Sequence, residues 1–135
     1  MADKPMNIFD IAGRAMSAQL VRLNATASNL ANAGSVSGTE AGAYRAIRPV
    51  FSTVVEKPGV ATVKVDQVVS SDTPAKMRHD PGHPLADADG NVWESGVDSS
   101  SELVEMVESA RMYQNNVQVL QTAKSLLLET IRLGK

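Results

Sequence analysis

The sequence predicts an α+β fold in which long N- and C-terminal helices pair as a coiled coil, with a small antiparallel β insert between them. Two observations predict this fold class. Apolar residues recur at intervals of three and four near both ends of the chain, and in the middle the period changes to two. With 135 residues, the chain has room for one small globular region. The predicted organisation is an N-terminal helix over 1–33, a loop and small β-rich insert over 34–98, and a C-terminal helix over 99–135.

Within its segment, the N-terminal helix is predicted to run from Asn7 to about Asn32, over an apolar seven-residue repeat that admits small residues. A second stripe, which includes Ala18 and Ala25, lies beside the repeat, so the apolar face is wider than a two-stranded seam needs. The helix is therefore expected to touch more than one neighbour. Asn29 and Asn32 compete with helical hydrogen bonds through their side chains and indicate the helix end. The predicted interface residues of this helix are Phe9, Met16, Leu20, Leu23 and Leu30.

The C-terminal helix is predicted to begin near Ser100 and to run almost to the end of the chain. Ser99 and Glu102 have the spacing of a capping box, in which each side chain bonds a backbone amide at the helix start. At about 1.5 Å per residue the helix would be on the order of 50 Å long, so part of its apolar face must look outward for a partner. Lys124 interrupts the apolar series. It either determines the register of the packed helices or extends its charged end to solvent along the apolar surface. The predicted interface residues are Leu103, Met106, Ala110, Tyr113, Val117, Leu120, Leu127 and Ile131.

The middle of the chain has the signals of loops and strands. Segment 35–42 is rich in Ser, Gly, Thr and Ala and is predicted to be a mobile loop. Pro58 and Gly59 separate two β-branched runs and supply the backbone angles of a hairpin turn. Asp89-Gly90 is a further turn signal. The predicted strands are 47–55, 60–69, 76–79 and 91–93.

The charge of the chain is nearly balanced. Its 13 basic and 15 acidic side chains give a net charge of −2, and neither sign forms a block that would neutralise phosphates or anionic lipids. This balance argues against nucleic acid and membrane surfaces as partners. No run of roughly 18 apolar residues is present, so membrane insertion is not expected. Asp10 and Arg14 interrupt the first apolar stretch, which argues against a cleaved signal peptide.

Two short segments offer candidate metal ligands. His79 and His83 are four residues apart, a spacing that serves zinc on one helix face, but Pro81 and Pro84 prevent that helix. Segment 87–91 resembles the opening of a calcium loop, yet its glycine stands at the fourth place where an EF-hand requires it at the sixth. The chain has no cysteine, so thiolate sites are excluded. Both segments are interpreted as turns, and no metal or other cofactor is predicted.

Catalysis has little support in the sequence. Asp80 stands next to His79 and serines are frequent, but no Gly-x-Ser-x-Gly turn is present and the serines fall in loops and caps. The glycines are scattered and form no phosphate-binding loop. No catalytic residue is therefore predicted, and the chain is not expected to be an enzyme.

A polar patch lies within the C-terminal helix, beside the apolar residues Tyr113 and Val117. It either determines partner geometry through hydrogen bonds or is a solvated helix face, and the adjoining apolar residues favour the first interpretation. The patch consists of Arg111, Tyr113, Gln114, Asn115 and Asn116.

Motifs along the whole chain resemble those of the flagellar axial proteins, which form the rod and hook. Segments 7–13, 27–32 and 44–51 are similar to the N-terminal signature of that family and follow in its order. Segments 81–92 and 110–117 are similar to a proximal-rod member in particular. One departure is clear, because Ser95-Gly96 stands where the family usually has Pro-Asn. The residues that match the family motif are Asn29, Leu30, Ala31, Asn32, Tyr113 and Asn115.

The resemblance implies a structural subunit of the bacterial flagellar basal-body rod, which spans the periplasm and transmits torque. It implies export through the flagellar type III apparatus without a cleaved signal peptide. It also implies that the terminal helices pair as a coiled-coil layer that contacts copies of this chain and other flagellar rod proteins. Alternatives are another axial position, in the rod or hook, or a monomeric soluble binding or catalytic module. We further hypothesise that the isolated subunit keeps its end helices partly unfolded until assembly buries them.

Overall fold

The computed structural model describes residues 7–134, and of Glu56 and Lys57 it describes the backbone only. Two helices flank small antiparallel sheets, so the α+β prediction is confirmed. The predicted N-terminal segment includes residues 1–6 and the predicted C-terminal segment includes residue 135, and these seven residues lie outside the described part of the chain. The elements are α1 Ile8–Ala31, β1 Val36–Ser37, β2 Ile47–Lys57, β3 Val60–Ser70, β4 Lys76–His79, β5 Asn91–Glu94 and α2 Ser99–Leu133.

Side-chain caps define both ends of α1. The Asn7 Oδ1 accepts from the amides of Phe9 and Asp10 at 2.9 and 3.0 Å, and the Asp10 carboxylate accepts from the Asn7 amide at 3.1 Å. This reciprocal capping box satisfies amides that have no partner within the helix. At the other end, the Asn32 Nδ2 donates to the Ser28 carbonyl at 2.8 Å. The predicted helix end at Asn32 is confirmed.

The predicted capping box of α2 is wrong. The N-cap is Asp98, whose two carboxylate oxygens accept from the Ser100 amide at 3.0 Å and from the Ser101 hydroxyl at 2.8 Å. The Ser101 hydroxyl and then the Ser100 amide hold the pKa of Asp98 below its usual value of 3.8. Glu102 turns inward instead, because a guanidinium from another element offers its carboxylate a stronger partner than one backbone amide.

The two helices pack side by side and run in opposite directions. Asn29 near the end of α1 contacts Glu102 in the first turn of α2, whereas Phe9 at the start of α1 lines one groove with Ala123 far along α2. The helices have 24 and 35 residues, which correspond to about 36 and about 52 Å. The last turns of α2 therefore extend beyond Ile8, the first residue of α1.

The longer strands form the predicted hairpin. β2 and β3 pair antiparallel from Ile47 opposite Ser70 to Lys57 opposite Val60, with irregularities that shift the register after Val50 and after Val55. Gly59 takes a φ of +84° at the turn, which glycine adopts without steric cost. The hairpin packs on α1, where the Arg22 guanidinium carbon lies 4.9 Å from the centre of the Phe51 ring.

A second, three-stranded sheet has the order β1-β5-β4. Within the segment predicted to be a mobile loop, Val36 pairs with Glu94 and Ser37 pairs with Trp93. That prediction is wrong for these two residues. The local composition indicates a loop, but the pairing partner is almost sixty residues away in the chain and supplies the missing hydrogen bonds.

The buried core is thin, as the scarcity of aromatic residues leads one to expect. The largest fully buried side chains of the described residues are mostly polar, and include Glu102, Asn29 and Thr26. Such polar groups require hydrogen-bond partners, so a polar network has to hold part of this interior together. The buried apolar residues are Ala12, Ala18, Ala25, Ala43, Ala46, Ala75, Val92 and Val97.

Candidate assembly surface

A polar junction joins α1, β2 and α2. At its centre Asn29 is fully buried and uses its whole hydrogen-bonding capacity. Its Nδ2 donates to the Ile47 carbonyl at 3.0 Å and to the Glu102 carboxylate at 3.1 Å. Its Oδ1 accepts from the Ile47 amide at 2.7 Å and from the Tyr44 hydroxyl at 3.0 Å. The polar junction consists of Asn29, Tyr44, Arg48, Glu102 and Glu105.

The charged half of the junction is an arginine between two glutamates. Arg48 extends from β2 and forms ion pairs with Glu102 and, at 2.7 Å, with Glu105. The Glu102 side chain is only 1% exposed, whereas that of Arg48 is 39% exposed. A buried carboxylate of this kind requires both its ion pair and its further hydrogen bond from Asn29. The three elements therefore hold one charge that none of them could bury alone.

The face of α2 that packs on α1 follows a spacing of three and four. Of the predicted interface residues, Met106, Tyr113 and Leu120 lie on this face and are half-buried, and Ala110 and Val117 are half-buried beside it. The interruptions are polar, since Glu102 and Ser109 are the two buried residues of α2. The positions of this face, all buried or half-buried, are Glu102, Met106, Ser109, Tyr113, Asn116, Leu120 and Ala123.

The remaining predicted interface residues of α2 face solvent in the single subunit. Leu103, Leu127 and Ile131 are each about half exposed. Leu103 lies with Val104 and Val107 on the side of a shallow cavity of about 360 Å³. Most of these apolar side chains are thus not used by the fold of one chain.

Predicted residues of α1 are divided in the same way. Phe9, Met16, Leu23 and Leu30 are half-buried, whereas Leu20 is exposed. Of the family-motif positions, Asn29 is buried, Asn32 is half-buried, and Ala31 and Asn115 are exposed. The motif therefore has an inner part that serves the junction and an outer part that is free for other contacts.

The last turns of α2 carry exposed apolar side chains in more than one direction. Because Leu126, Leu127 and Leu128 are consecutive, they point in three directions about the helix axis. Their exposed fractions and those of the next apolar residues run from 48 to 88%. We name this surface the terminal stripe; it consists of Leu126, Leu127, Leu128, Ile131 and Leu133.

An apolar groove adjoins the terminal stripe where α1 begins. It has a volume of about 560 Å³, and its walls come from the first turn of α1 and the second half of α2. Groove and stripe share Leu126 and Leu127, so they form one continuous apolar surface. The lining residues are Ile8, Phe9, Gln118, Val119, Thr122, Ala123, Leu126, Leu127 and Thr130.

The candidate metal segments stabilise turns. The Asp87 carboxylate accepts from the amides of Asp89 and Asn91 at 2.9 and 2.8 Å, next to Gly90 with its φ of +77°. The His83 Nδ1 accepts from the Leu85 amide at 3.1 Å. Between residues 7 and 134, no three His, Asp or Glu side chains are grouped so that they could hold a metal ion.

The departure at Ser95-Gly96 has its own structural role. The Ser95 hydroxyl is buried and donates to the Ala33 carbonyl just after α1, at 2.6 Å. A Cβ atom on Gly96 would lie 2.6 Å from the Pro74 carbonyl oxygen, so the backbones approach too closely there for any other residue. This pair therefore fixes the connection into α2 without a proline.

Comparison with known proteins identifies the class to which this two-helix architecture belongs. Residues 9–38, which contain all but the first residue of α1, match the family described as Flagella basal body rod protein. Residues 88–133, which contain β5 and the whole of α2, match the family described as Flagellar basal body rod FlgEFG protein C-terminal. The class is therefore that of flagellar rod proteins. The two matched regions coincide with the two halves of the helix pair and leave the hairpin outside.

Full-length relatives agree with the family matches. The chain is 50% identical to the flagellar basal-body rod protein FlgC of Salmonella typhimurium, over 96% of this chain and 98% of that protein. It is 51% identical to FlgC of Escherichia coli O6:H1 over the same shares, and 38% identical to FlgC of Buchnera aphidicola subsp. Schizaphis graminum over 96 and 98%. This chain belongs to the FlgC family of flagellar basal-body rod proteins.

Membership of this family confirms the predicted class of function. The family is structural, so the chain is a structural protein of the flagellar basal-body rod and not an enzyme. Among residues 7–134, no helix is both long enough and apolar enough to cross a bilayer.

Proposed function

We propose that this subunit polymerises through its two terminal helices to form part of the torque-transmitting rod. Its partners are copies of itself and other flagellar rod proteins, and the helices form a coiled-coil layer of the periplasm-spanning structure. The subunit reaches this place through the flagellar type III export apparatus without a cleaved signal peptide. The observation that carries the proposal is the terminal stripe, an apolar surface that α2 presents beyond the end of its intramolecular partner.

Burial of the terminal stripe would supply much of the free energy of assembly. Each leucine or isoleucine that passes from full exposure to full burial contributes roughly 1.5–3 kcal/mol. In the single subunit the five side chains remain 48 to 88% exposed, so most of that contribution is unused. Several neighbours together can therefore offset the entropy of ordering these turns.

Charge does not oppose self-association at this surface. Lys124, Glu129 and Arg132 lie among the apolar residues and include both signs. Subunits that meet along this helix can therefore pair opposite charges at the rim of the contact. A head-to-tail contact, in which the terminal stripe of one subunit meets a different surface of the next, is heterologous, and repetition of a heterologous contact produces a ring or a helical tube.

The hypothesis of partly unfolded ends now applies to a defined part of α2. Positions up to Ala123 pack on α1, whereas residues 124–133 have only exposed side chains. Few buried contacts mean a small free energy of local opening. We expect these turns to be ordered only when neighbouring subunits cover them.

Two charge substitutions in the terminal stripe test the proposal. Leu127→Glu with Ile131→Glu should abolish incorporation into basal bodies and motility, while the circular dichroism and denaturation midpoint of the subunit stay near those of the wild type. Leu120 is left unchanged because it is half-buried on the face toward α1. The matched control is Val55→Glu, an exposed apolar residue on the hairpin.

The expected outcome for the control is assembly and motility at the wild-type level. Intact, motile rods that contain the doubly substituted subunit would contradict polymerisation through the terminal helices. Equal loss of assembly in the control would show that charge anywhere on the surface is responsible, which would also contradict the proposal.

A further inference from the structure

The apolar contacts between the two helices fit more than one alignment. The buried apolar residues of α1 are all alanines, namely Ala12, Ala18 and Ala25. Small, smooth side chains recurring at heptad-like intervals distinguish one register from the next only weakly. A unique alignment therefore requires a determinant other than apolar packing.

We infer that Asn29, Arg48 and Glu102 determine the alignment of α1, the hairpin and α2, and that they contribute to the uniqueness of the fold more than to its stability. Each of the three lies on a different element, and each bonds to at least one of the others. Asn29 has no hydrogen-bonding capacity left for another partner. The set is complete in one alignment only.

A slip between the helices shows how the discrimination arises. If α2 moved by one heptad, Ser109 would take the place of Glu102 opposite Asn29. Apolar positions would again meet apolar positions, at little cost. The Glu102 carboxylate and the Arg48 guanidinium, however, would lose each other, and a buried charge without its partner is strongly unfavourable. The three polar residues therefore make the slipped alignment unfavourable, whereas the apolar contacts between the helices would allow it.

The same set adds little net stability. Removing two charges from water has a cost that the ion pair only approximately offsets, and apolar residues of similar volume often replace such a set without loss. Simultaneous replacement of Arg48 and Glu102 is therefore expected to preserve stability and to remove the discrimination, whereas Asn29 is kept because its side chain also satisfies the backbone of Ile47. This separates a register-determining role from an ordinary stabilising one.

Spin labels on the full-length chain measure the alignment directly. The chain has no cysteine, so Asn24→Cys on α1 and Gln121→Cys on α2, both exposed and both within the packed part of the helix pair, provide two unique labels. Labelled protein is diluted into unlabelled protein, and the distance distribution is measured by double electron–electron resonance. The otherwise unchanged chain should give one narrow distance. The Arg48→Met, Glu102→Leu variant should keep its denaturation midpoint and add a population displaced by about 10 Å, one heptad along the helix axis.

The chain offers a matched control in an exposed ion cluster. Arg78 on β4 bridges Asp80 and Glu94, as Arg48 bridges two glutamates, but it contacts neither helix. Arg78→Met with Glu94→Leu should leave the single narrow distance unchanged. A second population in this variant would attribute the effect to loss of any ion pair, and would overturn the inference.

A single narrow distance in the folded double variant would also overturn it. Should the double variant fail to fold, the claim about stability is wrong, and Glu102→Gln then tests the claim about alignment alone. That variant keeps an oxygen that can accept from Asn29 and Arg48 but removes the charge whose separation from Arg48 penalises the slip, and it should show a second population. An unchanged distance in Glu102→Gln would reject the alignment role as well. The alignment is a property of the single subunit, so these outcomes do not depend on polymerisation.

Discussion

The side-chain amide of Asn29, near the end of α1, donates to the buried carboxylate of Glu102 in the first turn of α2 over 3.1 Å. The two residues are 73 positions apart in the sequence. Their contact fixes the end of one terminal helix against the start of the other. The hairpin that packs on α1 adds Arg48, which pairs with Glu102. The three elements therefore meet at one buried charge.

Loss of Arg48 alone should be far more harmful than loss of an exposed arginine. Arg48→Met leaves the Glu102 carboxylate buried without its cation, which typically costs about 3 kcal/mol of unfolding free energy. Arg78→Met removes an equally bridging but exposed guanidinium and should cost less than about 1 kcal/mol. Urea denaturation of both variants provides the comparison. Equal midpoints would show that burial of Glu102 does not matter to the fold.

The N-cap of α2 should make stability depend on acidity. The pKa of Asp98 is lowered in the folded chain, mainly by the Ser101 hydroxyl, so its ionised form contributes stability above the ordinary value of 3.8. This contribution is lost as pH falls through the lowered folded-state pKa. The stability advantage of the wild type over Asp98→Asn should therefore be largest near neutral pH and should shrink in acid.

Denaturant midpoints of the wild type and Asp98→Asn, measured from neutral pH to below the ordinary carboxyl pKa of 3.8, show whether the stability difference shrinks in acid. Asp72→Asn, at an exposed position on the chain between β3 and β4, controls for the loss of one negative charge. A difference between the wild type and Asp98→Asn that is constant over the whole range would show that the cap does not act through its ionised form.

Substitution by alanine should change the stability of the subunit in opposite directions at two glycines. In Gly96→Ala the new Cβ would lie 2.6 Å from the Pro74 carbonyl oxygen, so the backbone must move, at a cost of about 1–3 kcal/mol. Gly13 lies inside α1, and apart from the adjoining helix backbone no atom lies within 4 Å of such a Cβ, so Gly13→Ala should stabilise the subunit by about 0.5 to 1 kcal/mol. Thermal or chemical denaturation gives both values. A neutral Gly96→Ala would show that the connection into α2 yields easily.

Local patterns predicted the elements well. The apolar periods placed both helices and the four strands to within about two residues, because each pattern reflects contacts between near neighbours in the chain. β1 was not predicted, since its two residues have no strand signal of their own and depend on pairing with β5. The start of α2 was assigned to the wrong cap for a similar reason. Glu102 leaves the predicted capping box because it pairs with Arg48, which lies more than fifty residues earlier in the chain.

The polar junction could be predicted only in part. Asn29 was singled out by the family motif, but Glu102 was assigned to a helix cap and Arg48 to no site. One signal was present, because Glu102 precedes Met106 by four residues and so occupies an apolar position of the seam. A charged residue at such a position needs a partner, yet nothing in the sequence says that the partner comes from a strand more than fifty residues earlier.

The predicted interface residues proved to have two roles that periodicity does not distinguish. Met106, Tyr113 and Leu120 lie on the face toward α1, whereas Leu103, Leu127 and Ile131 face solvent. All six fit one series of three and four because a long helix can bury one part of its stripe in its own chain and another part in a neighbour. Only the relative length and alignment of the two helices separate the two groups.

Amide hydrogen exchange on the dilute subunit and on isolated basal bodies tests most directly whether neighbouring subunits bury what one chain leaves exposed. In the dilute subunit, amides from Met106 to Leu120 should exchange slowly and those from Leu126 to Leu133 rapidly, because only the first group packs on α1. In basal bodies both groups should exchange slowly. Strong protection from Leu126 to Leu133 in a dilute subunit that does not self-associate would contradict the account.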